Sequence, residues 1–194
     1  MIKVFVSPLD ETGVKKTAAL LGAFCLFLSS IEYLIPKPLP FMRLGIANLP
    51  LMLALDILPF PVFARLVGIK VFGQALITGT LFSYVFLFSL AGTVISTFVQ
   101  FLLRRLVAPK LLGFAGIGVV GGLISNLTQL ALAQVFILGE SIWYIVVPFL
   151  AAGVITGFVL GLFCASFAGR SQWYASRCRR TEVQRPETAD DRRD

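Results

Sequence analysis

No histidine occurs anywhere in the 194 residues. That removes imidazole acid–base chemistry, histidine-based triads and the commonest metal ligand. The three cysteines, Cys25, Cys164 and Cys178, lie far apart and fit no ligand spacing, so neither a disulfide framework nor a metal site is expected. Charge is scarce too. Charged residues make up 14% of the chain, against the roughly 25% usual in soluble domains. No GxxxxGK[ST] loop is present, so ATP cannot be bound in the P-loop manner, and energised transport would need a separate ATPase. The glycine-rich dinucleotide fingerprint is missing, and the apolar body holds no carboxylate pair for acid–base catalysis. The expectation is a protein that is not an enzyme.

What remains is apolar. The chain is 57% hydrophobic, with a mean hydropathy of +0.88. A soluble domain of this size could not hide so much apolar surface, whereas lipid can solvate it. An uncharged apolar run of about 20 residues spans the hydrocarbon. Candidate runs cover 17–35, 44–58, 62–79, 81–103, 113–138 and 142–168. The first is read as a retained span and not a signal peptide, because no small-x-small cleavage site closes it and Glu32 sits near its end. The second is short, contains Pro50 and ends at Pro59 and Pro61. The second and third together are either two spans or a re-entrant pair.

The expected fold is an all-α integral membrane protein of six transmembrane helices. It has an N-terminal segment at 1–16, a membrane domain at 17–168 and a basic, polar, disordered tail at 169–194. Six spans put Lys3, Lys15, Lys16, Arg104, Arg105, Lys110, Arg170, Arg177, Arg179 and Arg180 on one side, against Lys37, Arg43 and Glu140 on the other. The positive-inside rule then assigns both termini to the cytoplasmic face of the cytoplasmic (inner) membrane. The net charge of +7 is thus explained without nucleic acid.

Several residues are costly where they stand. Lys70 lies about 12 Å into its run at the helical rise. A lysine at mid-span costs roughly 2.5–3.5 kcal/mol on insertion scales. It could contact an anionic ligand, or pair internally with Asp56 or Glu32. Asp56 and Arg65 flank one turn and are expected to pair. Glu32 and Arg43 flank the proline loop and could line a pocket mouth. Asn126 and Gln129, at i and i+3, share a helix face and need partners from other helices or from a ligand; Asn48 is a similar candidate. Small residues recur at helical spacing in Gly118 and Gly122, in Gly153, Gly157 and Gly161, and in Ala19 and Ala23. The glycines are expected to pack helices, and the alanines could dock another subunit. The ending Asp190-Asp191-Arg192-Arg193-Asp194 matches the DDxxD pattern of prenyl diphosphate synthases. Those enzymes need two such clusters facing one pocket, so it is not read as a metal site.

Three segments carry a resemblance: SSIEYLIPKPLPFMRLGIANLPLMLAL at 29–55, GTLFSYVFLFSLAG at 79–92 and GVVGGLISNLTQLALA at 118–133. Together they resemble the Gx transporter family, also labelled heptaprenyl diphosphate synthase component I. Its members resemble the S components of energy-coupling-factor transporters. The resemblance implies an S-component-like bundle that binds a small cofactor and works with a second membrane subunit. It also implies a gating loop at Pro36, Pro38 and Pro40, and a docking face at Ala19 and Ala23. Family members are often encoded near flavinylated proteins, so a flavin (riboflavin, FMN or FAD) is the implied ligand. Lys70 and Arg43 would then meet phosphate, Asn48, Asn126 and Gln129 the ring edge, and Phe82 or Tyr84 its face. Two other readings stand beside this one: a non-catalytic subunit of a prenyl or quinone pathway, and an assembly subunit of a membrane redox complex.

Overall fold

A computed structural model describes residues 8–35, 45–107, 112–139 and 143–183. Among them the chain is helical throughout, with no strand. Helix α1 runs over Pro8–Leu34, and a 3-10 turn, Ile46–Asn48, leads into α2, Leu49–Ile57. Then come α3 (Phe60–Ile77), α4 (Tyr84–Leu106), α5 (Phe114–Ala133), α6 (Trp143–Arg170) and α7 (Gln172–Val183). Five helices are long and apolar enough to cross a membrane, and the Ile46–Ile57 segment is a shorter apolar helix. This is the expected all-α membrane bundle.

Pro50 and Pro61 stand at helix starts, where a missing N–H costs nothing. Pro50, which falls inside the second apolar run, sits in the first turn of α2, and Pro61 does the same in α3. Gly45, at φ 77, supplies the left-handed turn that begins the 3-10 segment. Ser83 caps α4 by accepting the Val85 N–H at 3.3 Å. Hydroxyls within the apolar helices bond back to carbonyls one turn earlier, as Ser29 does to Cys25 (2.8 Å) and Thr128 to Ile124 (2.8 Å).

Of the second and third apolar runs, only the second forms a short helix. The third becomes an α3 of 18 residues. Helix α2 has nine residues, and its 3-10 turn adds three. Together these rise about 19 Å, less than the roughly 30 Å of hydrocarbon. A helix apolar on every side belongs inside a bundle, and every α2 residue except Asp56 is buried. The Cys164 thiol of α6 reaches the Leu49 carbonyl at 3.8 Å.

Side-chain contacts fix the direction of each pass. Glu32, near the end of α1, accepts the backbone N–H groups that start the 3-10 turn. Asp56, at the far end of α2, bonds to Arg104 in the last turn of α4 and to Tyr174 of α7. Helix α2 therefore returns the chain to the end from which α1 set out. Phe60 and Phe63 of α3 pack on Phe101 of α4, with ring centroids 5.2 and 5.4 Å apart. Facing glycines bring α5 and α6 together antiparallel. A Cβ on Gly118 would run into the Gly157 carbonyl oxygen, and one on Gly122 into that of Gly153. Across both helices the expected glycine stripes are packing surfaces.

Two expectations need correcting here. Asp56 does not pair with Arg65, which is exposed at the start of α3, nor does it reach Lys70. Its carboxylate is gripped by Arg104, from Nε to Oδ1 and from Nη2 to Oδ2, both at 2.7 Å, and the Tyr174 hydroxyl donates to Oδ2 at 2.7 Å. The planar guanidinium fork suits a two-oxygen partner, and a bundle brings a residue 48 positions away closer than one across a turn. The segment expected as a disordered tail also folds in part. Tyr174 is buried, and Trp173 packs against the same apolar cluster. Residues 184–194, including the DDxxD sequence, lie outside the described residues.

Candidate functional site

The polar residues of the apolar helices converge. Glu32, Lys70, Gln74, Thr93, Ser96, Gln100, Asn126 and Gln129 are all buried. All of them line one central cavity, together with Asn48, Ser125 and Thr156. It receives α1 through Glu32, α3 through Lys70 and Gln74, α4 through Thr93, Ser96 and Gln100, and α5 through Asn126 and Gln129.

Glycines make the room for the amides. A Cβ on Gly121 would occupy the place of the Gln100 amide, and one on Gly153 that of Asn126. Gln100 Nε2 donates to the Ile117 carbonyl at 3.0 Å, and Asn126 Nδ2 to the Phe149 carbonyl at 2.7 Å. Gln129 Nε2 donates to Ser125 Oγ at 3.0 Å. Lys70, 2% exposed, has its Nζ 3.4 Å from Thr93 Oγ1. The Glu32 carboxylate is held by the backbone, Oε1 by Gly45 N–H at 3.3 Å and Oε2 by Ala47 N–H at 3.2 Å. Three oxygens, Asn48 Oδ1, Gln74 Oε1 and Gln129 Oε1, are buried without a partner.

The cavity measures about 40 Å³, room for a few water molecules at ~10–15 Å³ each. Ligand pockets for drug-sized molecules run to about 300–1,000 Å³. An isoalloxazine ring therefore enters only if the helices part.

Of the residues singled out from sequence, Glu32, Asn48, Lys70, Asn126 and Gln129 meet at this cavity. Phe82 and Tyr84 do not. Phe82 is 101% exposed in the turn before α4, and Tyr84 is half exposed and packs on Phe88 at 5.8 Å. Aromatic rings at helix ends fit the membrane–water interface. Arg43 and the proline positions Pro36, Pro38 and Pro40 lie outside the described residues. Ala19 and Ala23 are exposed on α1, along with Leu20, Phe24 and Phe27. Among the cavity residues not anticipated are Gln74, Thr93, Ser96 and Gln100. Their signal is a helical register: Ser89, Thr93, Ser96 and Gln100 form one polar stripe on α4, and Gln74 follows Lys70 by one turn.

A second polar cluster closes the end of the bundle that holds the start of α1. Around the Asp56 pair, Arg104 Nη1 also donates to the Leu112 carbonyl at 3.2 Å, and its guanidinium lies 4.7 Å from the Phe114 ring centre. Burial, and then the Asp56 carboxylate, raise the Tyr174 phenol well above its ordinary pKa. The hydroxyl therefore stays a donor, which makes this cluster a fastening for α7.

The geometry defines a multi-pass α-helical membrane protein with a buried polar centre. By sequence, residues 21–167 match the family described as heptaprenyl diphosphate synthase component I, and the chain belongs to that family. Neither a curated protein nor a solved structure matches it.

Proposed function

We propose that the chain is a membrane transporter subunit, S-component-like, that binds a small polar solute in its central cavity and carries it across the bilayer. One observation supports this most. A lysine, a carboxylate and four side-chain amides converge, buried, on a cavity inside apolar helices. Ionisable and amide groups at that depth are expensive, and they characteristically mark a solute path. In this reading the chain does no covalent chemistry, and it works with a second membrane subunit that can engage a separate ATPase. The exposed α1 face at Ala19 and Ala23 is the proposed contact. Flavin is the first solute to test, on the strength of the family resemblance, and its entry requires the cavity to widen.

The family description favours a second reading, a non-catalytic membrane component of a prenyl diphosphate pathway whose partner component carries the chemistry. Purification in mild detergent, followed by the absorbance spectrum and mass of any bound molecule, separates the two. A yellow protein with flavin absorbance supports the first, and a bound isoprenoid the second. Lys70→Met and Asn126→Ala should each weaken solute binding about tenfold or more, as expected for loss of one hydrogen bond to a buried group. Unchanged affinity in both would move the site elsewhere.

A further inference from the structure

The cavity wall is lopsided in its hydrogen bonding. Three of its five amide nitrogens are spent on the protein: Gln100 Nε2 on the Ile117 carbonyl, Asn126 Nδ2 on the Phe149 carbonyl and Gln129 Nε2 on Ser125 Oγ. Three of its five amide oxygens are open. Asn48 Oδ1, Gln74 Oε1 and Gln129 Oε1 are buried, have no partner, and come from three separate elements. Gln74 and Gln129 are 3% and 2% exposed. An amide oxygen can only accept. The formal charge of the wall also balances, because Glu32 and Lys70 are the only charged residues lining it among the described residues.

We infer that this cavity selects a solute rich in hydrogen-bond donors, hydroxyls or imide-type N–H groups, over an acceptor-only anion such as a diphosphate. The inference rests on the solute-binding reading above and names the chemical class that reading would take. The cavity has room for a few waters, which can donate to these oxygens. A ligand hydroxyl or N–H replaces such a water bond for bond, whereas a phosphate oxygen faces the same amide oxygens with lone pair against lone pair. A diphosphate also brings two or more negative charges to a wall where one ammonium already offsets one carboxylate.

The test uses the full chain in lipid nanodiscs, with binding and thermal stability measured for four probes. Riboflavin and ribitol carry donors, whereas inorganic pyrophosphate and geranyl diphosphate present acceptors. At least one donor-bearing probe should bind and raise the unfolding temperature. Neither diphosphate should do so at a hundredfold higher concentration. Gln74→Leu and Gln129→Leu should each weaken the donor-bearing probe tenfold or more. Gln74→Leu removes an unsatisfied buried oxygen and should leave the ligand-free protein as stable as before, whereas Gln129→Leu also gives up the bond to Ser125 Oγ and should lower its stability slightly. A diphosphate that binds as well as the donor-bearing probes overturns the inference while sparing the solute-binding reading. So does unchanged probe affinity in both leucine variants. If no probe of either class binds, the solute-binding reading falls and this selectivity falls with it.

Discussion

Glu32 shows how one buried carboxylate can be structural and still border a site. Its two oxygens take the Gly45 and Ala47 N–H groups, the donors that open the 3-10 turn before α2, and its side chain also lines the cavity. Glu32→Ala would leave both donors without their acceptor in the bilayer, at about 1–3 kcal/mol each. Glu32→Gln keeps one acceptor oxygen and should cost clearly less. Thermal unfolding in detergent should rank wild type above Glu32→Gln above Glu32→Ala, and amide exchange should quicken at Gly45 and Ala47 in the alanine variant. Equal stability for both variants would remove the carboxylate from this role. At this scale the sequence was partly readable. Glu32, Lys70, Asn126 and Gln129 stood out because a charge or an amide in an apolar run is conspicuous by itself. Thr93, Ser96 and Gln100 are individually ordinary, and only their shared helical face marks them. The Asp56–Arg65 expectation followed nearness along the chain, whereas Arg104 reaches Asp56 through packing that no local pattern records. Asp56→Ala and Arg104→Ala should each destabilise by about 1.5–3 kcal/mol, the range for a hydrogen bond to a charged group. The double variant should cost distinctly less than the sum.

Among the elements, α5 and α6 are joined at glycines, and the sequence pattern carried that directly. Their backbones approach so closely that a side chain on either helix meets carbonyl oxygen of the other. Gly118→Val should therefore force the pair apart, at about 1–3 kcal/mol or more. Gly68→Ala in α3, where a Cβ would meet nothing within 4 Å, should be neutral or mildly stabilising. Detergent melting curves for the two variants make the comparison, and a Gly118→Val protein as stable as wild type would contradict the close approach. Helix boundaries were less legible. Pro50 reads as an interruption until its place in the first turn of α2 is known. Helix α7 escaped notice because its polar composition hides the two residues that anchor it, Trp173 and Tyr174. Tyr174→Phe removes the hydroxyl that donates to Asp56 and should cost about 2 kcal/mol. The test is whether proteolytic release of the 172–183 segment quickens in that variant while α1 to α6 stay protected.

For the whole molecule, the passes place the start of α1, the end of α4, the end of α6 and α7 at one end of the bundle. A Cβ on Gly13 would lie 3.7 Å from the Arg177 guanidinium, so the first and last described helices meet there. That end also carries Lys15, Lys16, Arg104, Arg105, Arg170 and Arg177, with Arg65 one turn into α3 beside it. The turn joining α3 to α4 at the opposite end, residues 78–83, has no charged residue. The short α2 does not upset this parity, since Glu32 holds its start and Arg104 its finish. The positive-inside rule predicts that the basic end faces the cytoplasm. The natural cysteines allow a direct test. Cys25 and Cys164 are buried and Cys178 is partly exposed on α7. With Cys25→Ala and Cys164→Ala as the background, a membrane-impermeant thiol reagent applied from outside intact cells should miss Cys178 and label it only after lysis. In the same background with Cys178→Ser added, Thr80→Cys in the α3–α4 turn should be labelled from outside. The reverse pattern would invert the molecule. Labelling of both sites from the same side would contradict the three passes, α4 to α6, that separate Thr80 from Cys178.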